Sequence, residues 1–456
     1  MTLRVSGLPD AETGVLNGLV DQLKAKQPRN ELRDLYMDAK KSPDMARWAS
    51  TVPTLGAVLG WPAKAVETLA RRCRLVGFTM DGVDPADFGI DTLLDENEYI
   101  RESRQGNVSS LVHAVSFEVT TKGSGPDEPE VLITRVDGRH GTGTWSARRR
   151  RLVDFLSVSS WDDEGKPKDW ALYLPGVTWV YANGTLDRQA QVLSRVPVEP
   201  IVYKPRLGRP FGSSRISRPV MFLTQSAVRV VLRSEATAQL YSAPGLIALG
   251  LSTEQMESGS WLAGIGNVVG IPDSDEASEA SLARAQIVAI QQASQAPHVD
   301  QLRAWAQLFS GETSIPTSSL GLGVDQANPT SPEGYAASRE DLIAEAEDAC
   351  EEWGGARRRV VQMAWALREG VDVSDLPLEV RSLRPQWRDP RYVSASAAAD
   401  AFSKLAAVMP QLAQSDAALD MLGLDEALVA RLRADLRRQR ARATLASLVA
   451  PDAVAV

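Results

Sequence analysis

The sequence predicts an α+β fold, predominantly helical, with one β-rich region set between helical parts. Three observations carry that reading. Small or apolar residues at Tyr335, Leu342, Ala346, Ala349, Trp353, Ala356, Val360, Ala364 and Leu367 recur mostly three or four apart, the period of a helix about 35 residues long. From Glu118 to Tyr203 the texture changes to short runs rich in branched and aromatic residues, separated by Gly, Pro, Asp and Asn. Ahead of the long helix, and again over Leu207 to Arg215, Gly/Pro-rich segments open into helical patterns.

Taken in order, Thr13 to Tyr36 carries Leu16, Leu19, Leu23, Leu32 and Leu35 on interrupted helical spacings, and Pro28 is expected to split it in two. Pro62 to Arg74 is a helix with Pro62 in its first turn; its Arg71-Arg72-Cys73-Arg74 end faces either solvent or a partner. Asp91 to Arg104 reads as a short acidic helix and Val108 to Val119 as more helix. In the β-rich region, at about 118–203, the strand runs are Val131 to Ile133, Leu152 to Val158, Trp170 to Leu174 and Val177 to Tyr181, with a hairpin turn at Asn183-Gly184. Arg148-Arg149-Arg150-Arg151, the densest positive run, is either an exposed loop or a contact to DNA phosphate or an acidic partner.

Ser213 or Ser214 is placed to cap a helix over Ile216 to Tyr241. Leu246 to Leu251 and Val268 to Pro272 are short runs, Asp300 to Phe309 is a short helix, and Phe309 to Gly323 reads as a loop. Ser331 as N-cap and Pro332 at the first helical position start the long helix, which Gly354-Gly355 is expected to bend or loosen midway. Its first half is acidic and its second half carries Arg357, Arg358, Arg359 and Arg368, the sense that backbone dipoles favour. A brief extended run lies within Val371 to Trp387, and Pro385 to Pro390 reads as a polar turn. Ala395 to Met409 and Leu424 to Leu448 are helices, the last bearing Arg431, Arg437 and Arg438 on what is either a solvated helix end or a surface for nucleic acid or an acidic partner.

Hydrophobic residues make up 44% of the 456, with 50 Lys plus Arg against 58 Asp plus Glu and a formal charge of -8. That is globular composition. It argues against a surface that clamps nucleic acid throughout, while leaving room for basic patches or for a channel in which a polyanion slides. Cys73 and Cys350 are the only cysteines, too few for a disulfide scaffold or a cysteine-rich metal site. No apolar run of about 18 residues occurs and the first residues lack a secretory pattern, so synthesis in the cytoplasm without a membrane span is expected.

The chemistry-bearing motifs are few. GxxxxGK followed by Ser or Thr is absent, and so is GxSxG as a strand-to-helix elbow. His113, His140 and His298 form no ligand cluster with the cysteines, and Asp162-Asp163-Glu164 before Gly165 reads as a polar turn. No cofactor and no enzymatic activity are expected.

Three motif groups then matter by their order. The strongest is a short helix ending in Leu308-Phe309, followed by Thr313-Ser314-Ile315-Pro316, Leu320-Gly321 and Asn328-Pro329-Thr330-Ser331-Pro332-Glu333. The second is Gly208-Arg209-Pro210-Phe211-Gly212-Ser213-Ser214-Arg215-Ile216 with Ala243-Pro244-Gly245 after the next helix. The third is the segment from Leu32 to Trp48 around Tyr36, then the helix at Val66 to Arg74 and Gly77-Phe78. Together, over most of residues 15–400, they resemble the portal proteins of tailed bacteriophages, closest to the portal group common in phages of actinobacteria.

The resemblance implies a portal fold with wing, stem, clip and crown. Residues 1–207 would be the wing with its β-rich subdomain, 208–242 a first stem helix, 243–297 the clip and 298–310 a second stem helix. Residues 311–331 would hold the tunnel loop, 332–394 the long wing helix and a returning wing segment, and 395–456 the crown. It also implies a closed homo-oligomeric ring, a homododecamer, at one capsid vertex of the virion. Double-stranded DNA would pass through it, with the terminase large subunit, major capsid protein, head–tail adaptor and scaffold protein as partners and no membrane. Leu320, Leu322, Val324, Asp325 and Gln326 are the loop positions expected near DNA. The competing readings are another structural head or connector protein, and a metal-dependent hydrolase gathering carboxylates such as Asp162, Asp163 and Glu164 in a pocket.

Overall fold

The computed structural model describes residues 3–41, 57–241, 246–251, 268–272, 286–289, 294–321, 339–391 and 395–410, with isolated residues and short helical runs between 418 and 442. The chain divides into two units, Met1–Arg388 and Asp389–Val456. The first is mixed α+β with several antiparallel sheets, in line with the expected fold class.

Helix α1 (Asp10–Met37) precedes α2 (Trp61–Ala70), strand β1 (Leu75–Thr79), α3 (Ile90–Glu96) and α4 (Tyr99–His113). Strands β2 (Val115–Lys122), β3 (Val131–Val136), β4 (Gly141–Ser146), β5 (Arg151–Trp161), β6 (Pro167–Leu174), β7 (Val177–Ala182), β8 (Thr185–Ala190) and β9 (Val198–Val202) follow. Then come α5 (Arg218–Tyr241), β10 (Leu246–Leu251), β11 (Val268–Pro272), β12 (Gln286–Ala289), α6 (Ala296–Thr313), α7 (Glu340–Glu369), α8 (Leu378–Arg381) and β13 (Arg384–Trp387). The second unit contains α9 (Ala395–Val408), where Lys404 pairs with Asp400 one turn earlier at 2.7 Å.

Alternation along the strands builds a layered body. β4 to β8 form an antiparallel meander, closed at one end by the Asn183-Gly184 turn between Ala182 and Thr185. Leu156, Val158, Trp170 and Leu172 point to one face, where Leu16, Leu19, Val20 and Leu23 of α1 cover them. Phe155 and Tyr173 point to the other and meet Phe117, Val119 and Val198 of the sheet β3-β2-β9. The far face of β2 presents Ser116, Glu118 and Thr120, all buried, toward α4 and α7. Separately, β10 pairs parallel with β11 and antiparallel with β12, and β1 pairs antiparallel with β13.

Several expectations are corrected. Pro28 does not split the first helix. A proline inside a helix costs about 3 kcal/mol, but α1 is anchored on both sides of it: Lys26 reaches Thr142 at 2.7 Å, Gln27 reaches the Arg139 carbonyl at 3.2 Å and Asn30 the Gly138 carbonyl at 2.8 Å. Asp91 to Arg104 is two helices, interrupted where Asn97 bonds the Leu93 and Val131 carbonyls and accepts from Ile133 N–H. Val108 to Val119 is helix only to His113; Ala114 adopts φ 81° and the chain continues as β2, the central strand of its sheet.

The short helix expected to end at Phe309 continues to Thr313, taking Gly311 and Glu312 out of the expected loop, and the polar turn expected from Pro385 begins as strand β13. α7 runs unbroken through Gly354-Gly355. A Cβ at Gly354 would lie 3.2 Å from Pro385 Cγ, so that glycine allows β13 to approach rather than loosening the helix. The start of the long helix at Ser331 and Pro332 lies outside the described residues, as does most of Leu424 to Leu448.

Candidate functional site

α5 and α6 form an antiparallel hairpin. Ser217 donates to Glu312 at 3.2 Å near one end, and Ser234 donates to Gln295 at 3.0 Å toward the other. Val220, Leu223 and Ala227 of α5 pack with Ala306 and Phe309 of α6 and with Trp61 and Ala65 of α2; the Trp61 and Phe309 rings are 5.1 Å apart. The cap of α5 is Ser217, whose hydroxyl accepts from Val220 N–H at 3.3 Å, rather than Ser213 or Ser214. Ser214 instead bonds the Val112 carbonyl at 2.6 Å, tying the segment before α5 to the end of α4.

One arginine joins this hairpin to the layered body. Arg215, buried, donates Nε–H to the Ala65 carbonyl at 2.8 Å, Nη2–H to the Thr313 carbonyl at 2.6 Å and Nη1–H to the Tyr203 hydroxyl at 3.0 Å. Its Nη1 lies 2.5 Å from Glu345 Oε1 on α7, which also takes Lys204 Nζ and the Tyr203 hydroxyl, each at 2.5 Å. Burial works against the charge of Glu345, but Arg215, then Lys204 and Tyr203, outweigh it and bring the carboxyl down to about 2 from 4.5. The folded-state value is depressed, so its contribution is complete above about pH 4.5 and is lost as pH falls toward 2. Glu345→Gln is therefore expected to remove about 3 kcal/mol of the stability difference between pH 5 and pH 2, read by urea denaturation across that range.

Gly212 holds the loop before Arg215 in place. Its φ is +67°, and a Cβ there would lie 2.1 Å from the Tyr203 carbonyl oxygen, which accepts from Ser213 N–H at 2.9 Å. Gly212→Ala is expected to lower stability by roughly 2–3 kcal/mol, measured by urea denaturation at neutral pH.

Beyond Thr313, Ser314 turns the chain at φ 55° and a single 3-10 turn spans Thr317–Leu320. Leu320 is half-buried against the Trp61 and Phe309 cluster. Leu322, Val324, Asp325 and Gln326 lie outside the described residues. Arg148, Arg149 and Arg150 are exposed in the turn of the β4–β5 hairpin, and Arg151 begins β5 opposite Ser146. Arg431 and Arg438 are exposed helical residues, Arg438 being 3.6 Å from Asp435; Arg437 lies outside the described residues.

A second buried network crosses the layers. Arg357 of α7 pairs with Glu118 of β2 and donates to the Ser103 carbonyl and to Asn107 Oδ1, both at 2.8 Å, while the Tyr99 hydroxyl donates to Glu118 at 2.8 Å. Neither network was foreseen. The sequence signal for Arg357 is its place on the apolar stripe between Trp353, Ala356 and Val360; Arg215 stands only at the end of a Gly/Pro-rich segment.

The histidines and acidic turn have local partners. His113 Nε2 is 2.8 Å from Asp34, which Arg139 also contacts at 3.0 Å, beside an open groove of about 440 Å³ lined by Met37, Val108 and Val112. Asp162 accepts from Lys166 N–H at 2.6 Å and Glu164 pairs with Lys166 Nζ at 2.6 Å, closing the β5–β6 turn. Among the described residues no group of three or more His, Cys, Asp or Glu is placed to hold a metal, and no helix is long and apolar enough to cross a membrane.

Together these elements define an α+β protein in which antiparallel sheets carry a clamped helical hairpin. The chain is 28% identical over 393 residues to the portal protein of Mycobacterium phage L5, covering 81% of this chain and 77% of that protein. It is 27% identical over 392 residues to the portal protein of Mycobacterium phage D29, with the same coverage. The chain is homologous to these phage portal proteins. No protein-family model matches it. Among solved structures, chains from the virion of a native gene transfer agent particle and from the neck of that particle, computed with C12 symmetry, align with TM-scores of 0.44 and 0.43 at 12% and 13% identity. Each alignment covers 80% of this chain and 90% of the other.

Proposed function

We propose that this chain is the portal subunit of a tailed bacteriophage, forming a closed ring of about twelve copies at one capsid vertex. Double-stranded DNA enters through the ring, driven by a separate terminase, and leaves through it toward the tail, while adaptor and capsid proteins dock on its outer surfaces. The protein performs no covalent chemistry of its own. Homology to two portal proteins over 81% of the chain carries this reading. The exposed Phe222 and Leu308, on the two helices of the α5–α6 hairpin, agree with it, as apolar surface of the kind a neighbouring subunit covers.

In this reading α5 and α6 are the stem helices, and residues 314–331 supply the loop facing DNA through Leu320, Leu322, Val324, Asp325 and Gln326. These five carry one acidic and no basic side chain, so few phosphates are neutralised and DNA moves rather than binds. Arg148 to Arg151 and the C-terminal arginines are the candidate contacts to a partner or to DNA.

Single-particle electron microscopy of the purified protein tests the proposal. The expected result is a ring of about twelve subunits with an open axis wide enough for duplex DNA. A monomer or dimer that forms no ring at any salt concentration, with or without the partner capsid and adaptor proteins, would remove the reading.

A further inference from the structure

The two cysteines, far apart in sequence, meet in the core. Cys73 sits in the turn between α2 and β1 and Cys350 on α7; their exposures are 0% and 6%. The Cys73 backbone is fixed by its N–H to the Leu69 carbonyl at 3.3 Å and by Asn107 Nδ2 donating to its own carbonyl at 3.1 Å. Its thiol donates to the Ala346 carbonyl of α7 at 3.6 Å, and Cys350 is one turn further along the same helix face and in the same packed cluster. The Cys350 side chain lies beside Cys73 in that cluster. α2 and α7 are also the elements that Arg215 joins, through Ala65 and Glu345.

We propose that Cys73 and Cys350 are a redox-sensitive pair that closes into a disulfide, stapling the α2–β1 turn to α7 beside the Arg215 junction. The timing rests on the portal reading: a chain made in a reducing cytoplasm and released in a particle meets oxidising surroundings only afterwards. The oxidant is a small-molecule disulfide. One cysteine loses its proton and attacks a sulfur of that disulfide, whose S–S bond breaks and releases one small thiol. The second cysteine, deprotonated in turn, attacks the protein-bound sulfur and releases the other. Two protein thiols are oxidised and one small disulfide is reduced to two thiols. The contact with Cys350, then burial, push the Cys73 thiol up, so closure is slow and proceeds through local opening.

The test incubates the purified full-length protein with glutathione disulfide, alkylates it and maps peptides by mass spectrometry without reduction. Free thiols are titrated in denaturant, and the same sample is imaged. The expected result is loss of both thiols, a linked pair of peptides containing Cys73 and Cys350, reversal by dithiothreitol, and a higher Tm for the oxidised protein that Cys350→Ser abolishes. Stable glutathione adducts at either cysteine, links between chains, or two thiols still free after prolonged exposure would overturn the proposal. The chemical readout is independent of assembly. Protein that forms the link but no ring removes the portal reading and keeps the pair; rings with both thiols free do the reverse.

Discussion

Arg357→Ala is expected to destabilise the first unit by about 3–5 kcal/mol, which for a unit of this size lowers Tm by about 5 °C. Arg357 and Glu118 are both 0% exposed. The guanidinium faces Glu118, the Ser103 carbonyl and Asn107 Oδ1, and its removal strands all three in a region without water access. Arg135 Nε, 3.5 Å from Glu118, and the Tyr99 hydroxyl compensate only in part. The physical cause is the charge left behind rather than the pair lost, and this separates two variants. Glu118→Gln combined with Arg357→Met removes both charges and is expected to cost less than the two single changes added together, with a coupling above about 1 kcal/mol. Thermal unfolding followed by circular dichroism reads the parent, Arg357→Ala, the single variants Glu118→Gln and Arg357→Met, and the double variant. If Arg357→Ala melts within a degree of the parent, the network contributes nothing and the account of the polar face of β2 fails.

That polar face also marks where sequence reasoning succeeded and where it did not. The strands at Val131, Leu152, Trp170 and Val177 were legible because short apolar runs stood between turn residues, and Asn183-Gly184 announced its hairpin. The start of β2, Val115 to Val119, reads as helix because Ser116 and Glu118 do not look like the inward face of a strand. Ser116 and Glu118 face inward because α4 and α7 carry the groups that satisfy them, Tyr99, Gly106 and Arg357. No local window contains that information. Pro28 misled for the same reason, since the contacts that hold α1 continuous come from the loop before β4 and from β4 itself. Within the α5–α6 site, the helical segments were visible in the spacing, but the arginine that clamps them takes partners from α2, the residue after β9, α6 and α7, and a set spread that widely leaves no periodic trace.

Arg215→Ala is expected to match Arg357→Ala in size, about 3–5 kcal/mol, and to differ from it in where the damage falls. The side chain satisfies the Ala65 and Thr313 carbonyls and neutralises Glu345. Thr313 is the last residue of α6, so Arg215 supplies a cap that orphan carbonyls at a helix end otherwise lack. Hydrogen exchange should therefore quicken at the amides of the last turn of α6 and near Ala65, while β6 and β7, packed under α1, keep their protection. Arg215→Lys separates charge from geometry. An ammonium can still pair with Glu345 but cannot reach two carbonyls and a hydroxyl in the planar fork that a guanidinium presents, so about half the loss should remain. Uniform exchange across the unit in Arg215→Ala, or full rescue by lysine, would show that Arg215 acts as a point charge in a general scaffold. The localised pattern would show instead that one side chain sets where the α5–α6 hairpin ends and where the chain toward Leu320 begins.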